Sequence, residues 1–438
     1  MRIIATAVLG LMMGVMTWAA PSQVAAYDYP DQNRYVSTVL GTPLELRYPL
    51  PEKYLLQDHI LQVFPERKLP EVFWYERGLH FGFMPHKGEQ RPLVFIIAGT
   101  GASYNSAKTV SMARALHHAG FHVLTISSPT HFNFLANASS NYLPGFPDDD
   151  AKDLYRVMQA ALDKVKDQIE VSSFYLTGYS LGGFNAAFVA QLDEERKAFN
   201  FEKVLMINPP VSLYNSVSIL DELLRDNLPE GVEGTGKFLN GVIDRLSSIH
   251  NKTDALHFDG DFMYRVHDEL QKERIRRGEP EDPEYRGAAA LIGISFRISS
   301  GSIVFASDVI NRSGYVVSPN LELGKYDSLT EHARVSHRVE FTEYIDDMVM
   351  PQLMKEYPGN SREQLLTAAS FQGIESYLTG STKIGVMTNA DEVILAPGEL
   401  DYMQKVFGDR LKLYPRGGHC GNIDLKENVQ FMIDFFAS

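Results

Sequence analysis

Residues 171–188 read VSSFYLTGYSLGGFNAAF, and this stretch limits the folds open to the chain more than any other. A β-prone run (Val171, Phe174, Tyr175, Leu176, Thr177) enters Gly178-Tyr179-Ser180-Leu181-Gly182 and leaves as a helical pattern through Phe184, Ala187, Phe188 and Leu192. The pattern is a strand, a sharp turn and a helix, with a serine at the apex. Side chains two positions either side would crowd such a serine, so glycine is wanted at 178 and 182. The hydroxyl then stands at the N-terminus of a helix, where the dipole and free N–H groups favour an oxyanion.

The neighbouring segments repeat the alternation. Residues 93–97 form an uninterrupted apolar run, as in a central parallel strand covered on both faces. A helix is predicted from about 106 to 118, closed by Gly120, then a buried strand at 121–126 and a helix over 150–165. Asp148, Asp149 and Asp150 open that last helix and read as N-terminal capping charge rather than metal ligands. Strand, helix, strand in succession gives an α/β class with a mostly parallel sheet and helices on both faces. Gly99-x-Gly101 also begins a dinucleotide-binding turn. That turn wants a third glycine where Tyr104 stands and an acidic residue where Ser127-Ser128-Pro129 stands, so the nucleotide reading is set aside. A plain tight turn remains open for these two glycines.

The serine turn in this setting resembles the nucleophile elbow of the α/β-hydrolase superfamily, and residues 91–210 and 378–438 carry the resemblance. It implies that Ser180 is a nucleophile and that the 98–104 loop lends an oxyanion donor, with Ala98 where many relatives have histidine. The donors implied are the N–H groups of Thr100 and Leu181. Downstream it implies an acid, then a histidine. Of the 13 histidines, only His419 sits in a glycine-rich turn just past a terminal strand, and it is the expected base. Asp391, after a buried strand, is the expected acid. Its neighbour Glu392 points elsewhere if Asp391 points in, and Asp221 is the competitor. The order Ser180, Asp391, His419 implies acyl transfer: a serine hydrolase cleaving an ester or thioester through an acyl-enzyme, with no metal or organic cofactor. The alternatives are an acyltransferase or peptidase using the same triad, or a non-catalytic binding protein on the same fold. A serine at this position disfavours the haloalkane branch, which uses aspartate.

Composition narrows the partners. The chain has 438 residues, 44% hydrophobic, with a net charge of −14. The acidic balance argues against nucleic acid or an anionic membrane surface as principal partner; the resemblance implies a small-molecule or lipid-like acyl substrate. Residues 1–26 read as a secretory leader: Arg2, an apolar run over 3–18, and Val24-Ala25-Ala26 as a cleavage site. The run is short for a membrane span, so the mature chain is expected to be periplasmic or secreted without an integral span, with an uncleaved anchor helix as the alternative. Cys420 is the single cysteine, so no internal disulfide is available. Asn137, Asn251 and Asn311 open glycosylation-type triplets, which carry weight only in a eukaryote.

The expected organisation is a leader (1–26), a core in two parts (27–210 and 378–438) and a helical cap inserted at 211–377. Antiparallel edge strands are expected at 35–40, 44–48 and 72–83, a short helix at 58–64, and a strand at 203–208. Within the insertion, helical patterns fall at 217–224, 238–246, 262–276, 344–356 and 362–377. Residues 288–310 are apolar but interrupted by Arg297, serines and Gly301, and read as a buried or pocket-lining helix pair rather than a membrane span. The strand pattern resumes at 383–387, followed by a helix at 398–407, a strand at 411–414 and a final helix.

Overall fold

A computed structural model describes residues 27–30, 32–228 and 285–438. The expected leader and the helices expected at 238–246 and 262–276 lie outside the described residues.

Among the described residues eight strands form one sheet in the order β1-β2-β4-β3-β5-β6-β7-β8. They are β1 (Gln57–Leu61), β2 (Leu79–Met84), β3 (Gln90–Ile97), β4 (His122–Ile126), β5 (Glu170–Tyr179), β6 (Lys203–Ile207), β7 (Ile384–Asn389) and β8 (Leu411–Tyr414). β2 runs antiparallel to β1 and β4, and every other pairing is parallel. Parallel neighbours require crossovers, here the helices α2 (Ala107–His118), α4 (Pro147–Val165) and α5 (Leu181–Arg196). The apolar run of β3 shows why a central strand has no polar face. Leu93, Phe95 and Ile97 pack with Leu154, Met158 and Phe184 on one side. Val94 and Ile96 pack with Met112, Leu116 and the C-terminal helix Lys426–Ala437 on the other. In α4, Pro147 and the three aspartates occupy the first turn, but Phe146 is the N-cap and no side chain caps it; Asp150 Oδ2 instead accepts the Gly145 N–H at 2.9 Å.

Several expectations near the N-terminus are corrected. Residues 35–40 belong to a helix, α1 (Arg34–Leu40), capped by Asn33 Oδ1 accepting from the Tyr35 N–H at 2.8 Å. Its β-branched residues Val36 and Val39 are buried on one helical face, so packing overrides their strand propensity. Residues 58–64 are not helical, because 57–61 pair with β2. The 72–83 stretch divides into a 3-10 turn, Glu71–Phe73, and β2. The expected strand at 44–48 is a 3-10 turn, Leu44–Leu46, beside an isolated bridge from Arg47 to Leu425.

Between β6 and β7 the described chain contains helices and no strand. They include α6 (Leu213–Arg225), α7 (Arg286–Asn311) and shorter pieces from Thr330 to Gly380. α7 is a single helix and not the expected pair. Most of its serines bond to the helix itself: Ser295, Ser299 and Ser302 donate to the carbonyls four residues back at 2.8, 3.2 and 3.0 Å, whereas Ser307 donates to Tyr142 O at 2.6 Å. Gly301 marks a close approach, where a Cβ would strike His337. Arg297 is buried against Asp221 at 3.2 Å and Glu340 at 3.5 Å. α7 alone among the described helices is long and apolar enough to cross a bilayer, but 67% of its most apolar window is buried, against partners that include α1, α3 (Phe132–Asn137) and α6.

Candidate active site

The turn after β5 places Ser180 at φ 55°, ψ −127°, a backbone conformation that L-residues seldom adopt. A Cβ on Gly178 would run into Gly182, and one on Gly182 into the carbonyls of Ile97 and Ala98. Only glycine at both positions lets the strand turn into α5 this tightly. The Ser180 N–H donates to Ile207 O at 2.8 Å, pinning the turn to β6. Strain of this kind persists because the surrounding sheet over-determines it.

At the same edge of the sheet, the loop after β8 delivers His419, whose Nε2 lies 2.8 Å from Ser180 Oγ. Its Nδ1 lies 2.8 Å from Glu392 Oε1. All three side chains are buried. Glu392 Oε1 also accepts the Val393 N–H at 2.8 Å, and Oε2 accepts Asn208 Nδ2 at 2.6 Å. The carboxylate is therefore fully engaged, with one oxygen turned to the imidazole.

This corrects the expected acid. Asp391 accepts the Gly418 N–H at 2.9 Å and does not reach His419. The reason is a tight turn after β7, in which the Glu392 N–H donates to Asn389 O at 3.2 Å. Asp391 falls at the third position of the turn and its side chain meets the 417–418 backbone. Glu392 leaves the turn inward and is one methylene longer. Burial raises the Asp391 pKa, and the N–H groups of Gly418 and Gly417 offset part of this. Asp221, the competitor, lies on α6 and is occupied: it accepts from Arg297, from the Phe341 N–H at 3.0 Å and from the Thr342 N–H at 2.9 Å.

For His419, burial disfavours the imidazolium, while the Cys420 sulfur and the Glu392 carboxylate favour it and together prevail, raising its pKa. Cys420 Sγ stands 4.0 Å from His419 Nε2.

The loop between β3 and α2 turns beside Ser180. The Ala102 N–H donates to Gly99 O at 3.0 Å, closing a tight turn with Gly101 at φ 68°. Thr130 Oγ1 accepts the Gly101 N–H at 2.8 Å. Thr100 and Leu181 both line the cleft at Ser180. Leu181 is the first residue of α5, so its N–H has no intrahelical acceptor.

The cleft encloses a volume of about 50 Å³ and opens toward solvent. Among the described residues its lining has no charged side chain; Leu213, Val217, Leu220, Phe296, Phe341 and Tyr344, all from between β6 and β7, supply most of its apolar wall. A separate cleft at Arg67, Trp74 and Arg77 holds no serine–histidine pair. Among the described residues, no group of three His, Cys, Asp or Glu side chains is arranged to hold a metal ion.

Two residues of the site escaped the sequence reading. Asn208, at φ 45°, directly follows β6 and orients Glu392, and the only local signal is a polar residue at the carboxyl edge of a parallel strand. Asn389 ends β7, where its Nδ2 donates to Gly418 O at 2.6 Å and its Oδ1 accepts from Asn422 Nδ2 at 2.6 Å.

No protein-family model matches the chain, and no curated protein matches it. Solved structures similar to it include the thioesterase domain from the curacin biosynthetic pathway, 10% identical at a TM-score of 0.40 over 88% of this chain and 100% of that one. Est1E from Butyrivibrio proteoclasticus is 12% identical at 0.35, over 82% and 96%. Proline iminopeptidase from Mycobacterium smegmatis is 14% identical at 0.37, over 82% and 97%. At this distance no substrate or reaction passes from them to this chain. Its own strand order and strained serine turn are those of the α/β-hydrolase fold.

Proposed function

We propose that this chain is a serine hydrolase that cleaves an ester or thioester, with Ser180 as nucleophile, His419 as base and Glu392 as the acid that orients it. One observation carries the reading: a buried relay, hydroxyl to imidazole to carboxylate, with 2.8 Å at each step. A serine hydroxyl is a poor nucleophile until a base takes its proton. With Nδ1–H donating to Glu392, Nε2 is left as the acceptor facing Ser180 Oγ, and the carboxylate stabilises the imidazolium that forms. Ser180 attacks the carbonyl carbon, and the N–H groups of Thr100 and Leu181 hold the tetrahedral oxyanion. His419 returns its proton to the leaving group, and water, activated by the same imidazole, releases the acyl group.

The helices between β6 and β7 act in this reading as a cap, and the uncharged wall they give the cleft suits an apolar acyl group. The leader pattern at 1–26 supports a periplasmic or secreted enzyme, which N-terminal sequencing of the protein from cell fractions tests.

A fluorophosphonate probe tests the central claim. The folded wild type takes the label and hydrolyses nitrophenyl esters, and Ser180→Ala does neither. Absence of labelling in folded wild type overturns the reading in favour of a non-catalytic binding protein.

A further inference from the structure

The loop that carries His419 is gripped by a part of the chain that the reaction scheme does not use. Thr38, on α1, donates its hydroxyl to Arg34 O at 2.7 Å and accepts the His419 N–H at 2.8 Å. Thr42 Oγ1 donates to Gly421 O at 2.9 Å. The approach is so close that a Cβ on Gly418 would strike Arg34 O and Thr38, and one on Gly421 would strike Ser37 O. From the other side, Arg416 Nε donates to the carbonyls of Tyr29 at 2.8 Å and Pro30 at 3.1 Å. The Tyr27 hydroxyl donates to Arg416 O at 3.1 Å and accepts from Asn422 Nδ2 at 2.7 Å.

His419 needs such a grip. It stands between two residues in the left-handed region, Gly418 at φ 57° and Cys420 at φ 58°. A non-glycine residue there is strained and relaxes unless its surroundings prevent it. The imidazole also serves two partners at 2.8 Å, on opposite ring nitrogens, and a displacement of a few tenths of an ångström toward one lengthens the other. Fixing the backbone N–H of His419 fixes the direction in which its side chain leaves the loop.

We propose that residues 27–30 and 32–42 form a clamp that holds the base loop in register, with Thr38 as a positioning residue acting through the main chain of His419. This rests on the reading of Ser180 and His419 as nucleophile and base. The clamp touches no substrate, so loosening it lowers the chemical step and leaves binding intact.

The test compares Thr38→Val, which keeps shape and loses the acceptor, with Thr38→Ser, which keeps it, in the full chain. In Thr38→Val, kcat on a nitrophenyl ester and the rate of fluorophosphonate labelling fall about 10- to 100-fold with KM nearly unchanged, as for a misplacement remote from the chemistry. Thr38→Ser restores both. If Thr38→Val does not fold, Thr42→Val, which cuts the second tie, is read the same way. Wild-type kcat in folded Thr38→Val, equal losses in Thr38→Val and Thr38→Ser, or failure of both valine variants to fold overturns the clamp. Ser180→Ala separates the two claims: if it abolishes labelling while folded Thr38→Val labels like wild type, only the clamp fails. If wild type takes no label, the clamp falls with the hydrolase reading.

Discussion

Glu392 Oε1 lies 2.8 Å from His419 Nδ1, although Asp391, the residue before it, stands where a simple reading of the strand end would put the acid. Glutamine at 392 keeps the shape and loses the charge. We expect Glu392→Gln to lower kcat about 10³- to 10⁴-fold, as loss of the orienting acid does in such triads. Asp391→Asn, which retains an acceptor for the Gly418 N–H, should stay within a few-fold of wild type. Steady-state kinetics on one nitrophenyl ester compares them, and the reverse ranking would return the acid to Asp391.

The same pair sets a pH dependence. Glu392 raises the pKa of His419, and the base must be neutral to accept the serine proton. Removing the anion lowers that pKa, so the acid limb of kcat/KM in Glu392→Gln moves to lower pH while the plateau drops. A limb that stays in place in a pH series contradicts the pairing.

Asp221 is expected to act on stability and not on chemistry. Asp221→Ala leaves Arg297 buried without its partner on α6 and strips acceptors from the Phe341 and Thr342 N–H groups. Loss of one partner of a buried pair costs about 3–5 kcal/mol, readable by urea unfolding. At a temperature where the variant is folded, fluorophosphonate labelling should persist.

His131 makes stability sensitive to acid. Its Nδ1 accepts the Asn133 N–H at 3.2 Å as the cap of α3, and burial lowers its pKa from 6.5 to about 4. The unfolded chain therefore binds this proton first, and stability falls as pH drops from about 6.5 toward 4, by at most about 3 kcal/mol. His131→Asn, which caps without titrating, should flatten the acid side of the melting-temperature profile.

Val217 and Leu220 face the cleft from α6. Val217→Phe is expected to move the kcat/KM optimum toward shorter nitrophenyl esters, and Leu220→Ala toward longer ones. A chain-length profile unchanged in both variants would mean that the acyl group binds elsewhere.

The alternation around the serine turn was legible because strand, turn and helix there follow from short-range rules. Two glycines are forced by steric contact, β3 is apolar on both faces because both are covered, and α4 opens with proline and three aspartates. At the N-terminal edge those rules mislead. Residues 35–40 have the composition of a strand and fold as a helix, because α6, α7 and the Val393-Ile394 segment offer their apolar side a buried surface. In 288–310 the serines looked like interruptions, but Ser295, Ser299 and Ser302 bond back to their own helix, and Ser307 donates across to Tyr142 O.

By itself the chain's order of residues determined the strained serine, the glycine-bounded histidine and the edge of the sheet they share, since each depends on a few neighbouring positions. Folding in three dimensions decided which of two adjacent carboxylates meets the imidazole, that Asn208 orients it, and that α1 backs the histidine loop. Those outcomes turn on a single tight turn after β7 and on contacts between segments hundreds of residues apart, and no local pattern encodes the direction in which a side chain leaves such a turn.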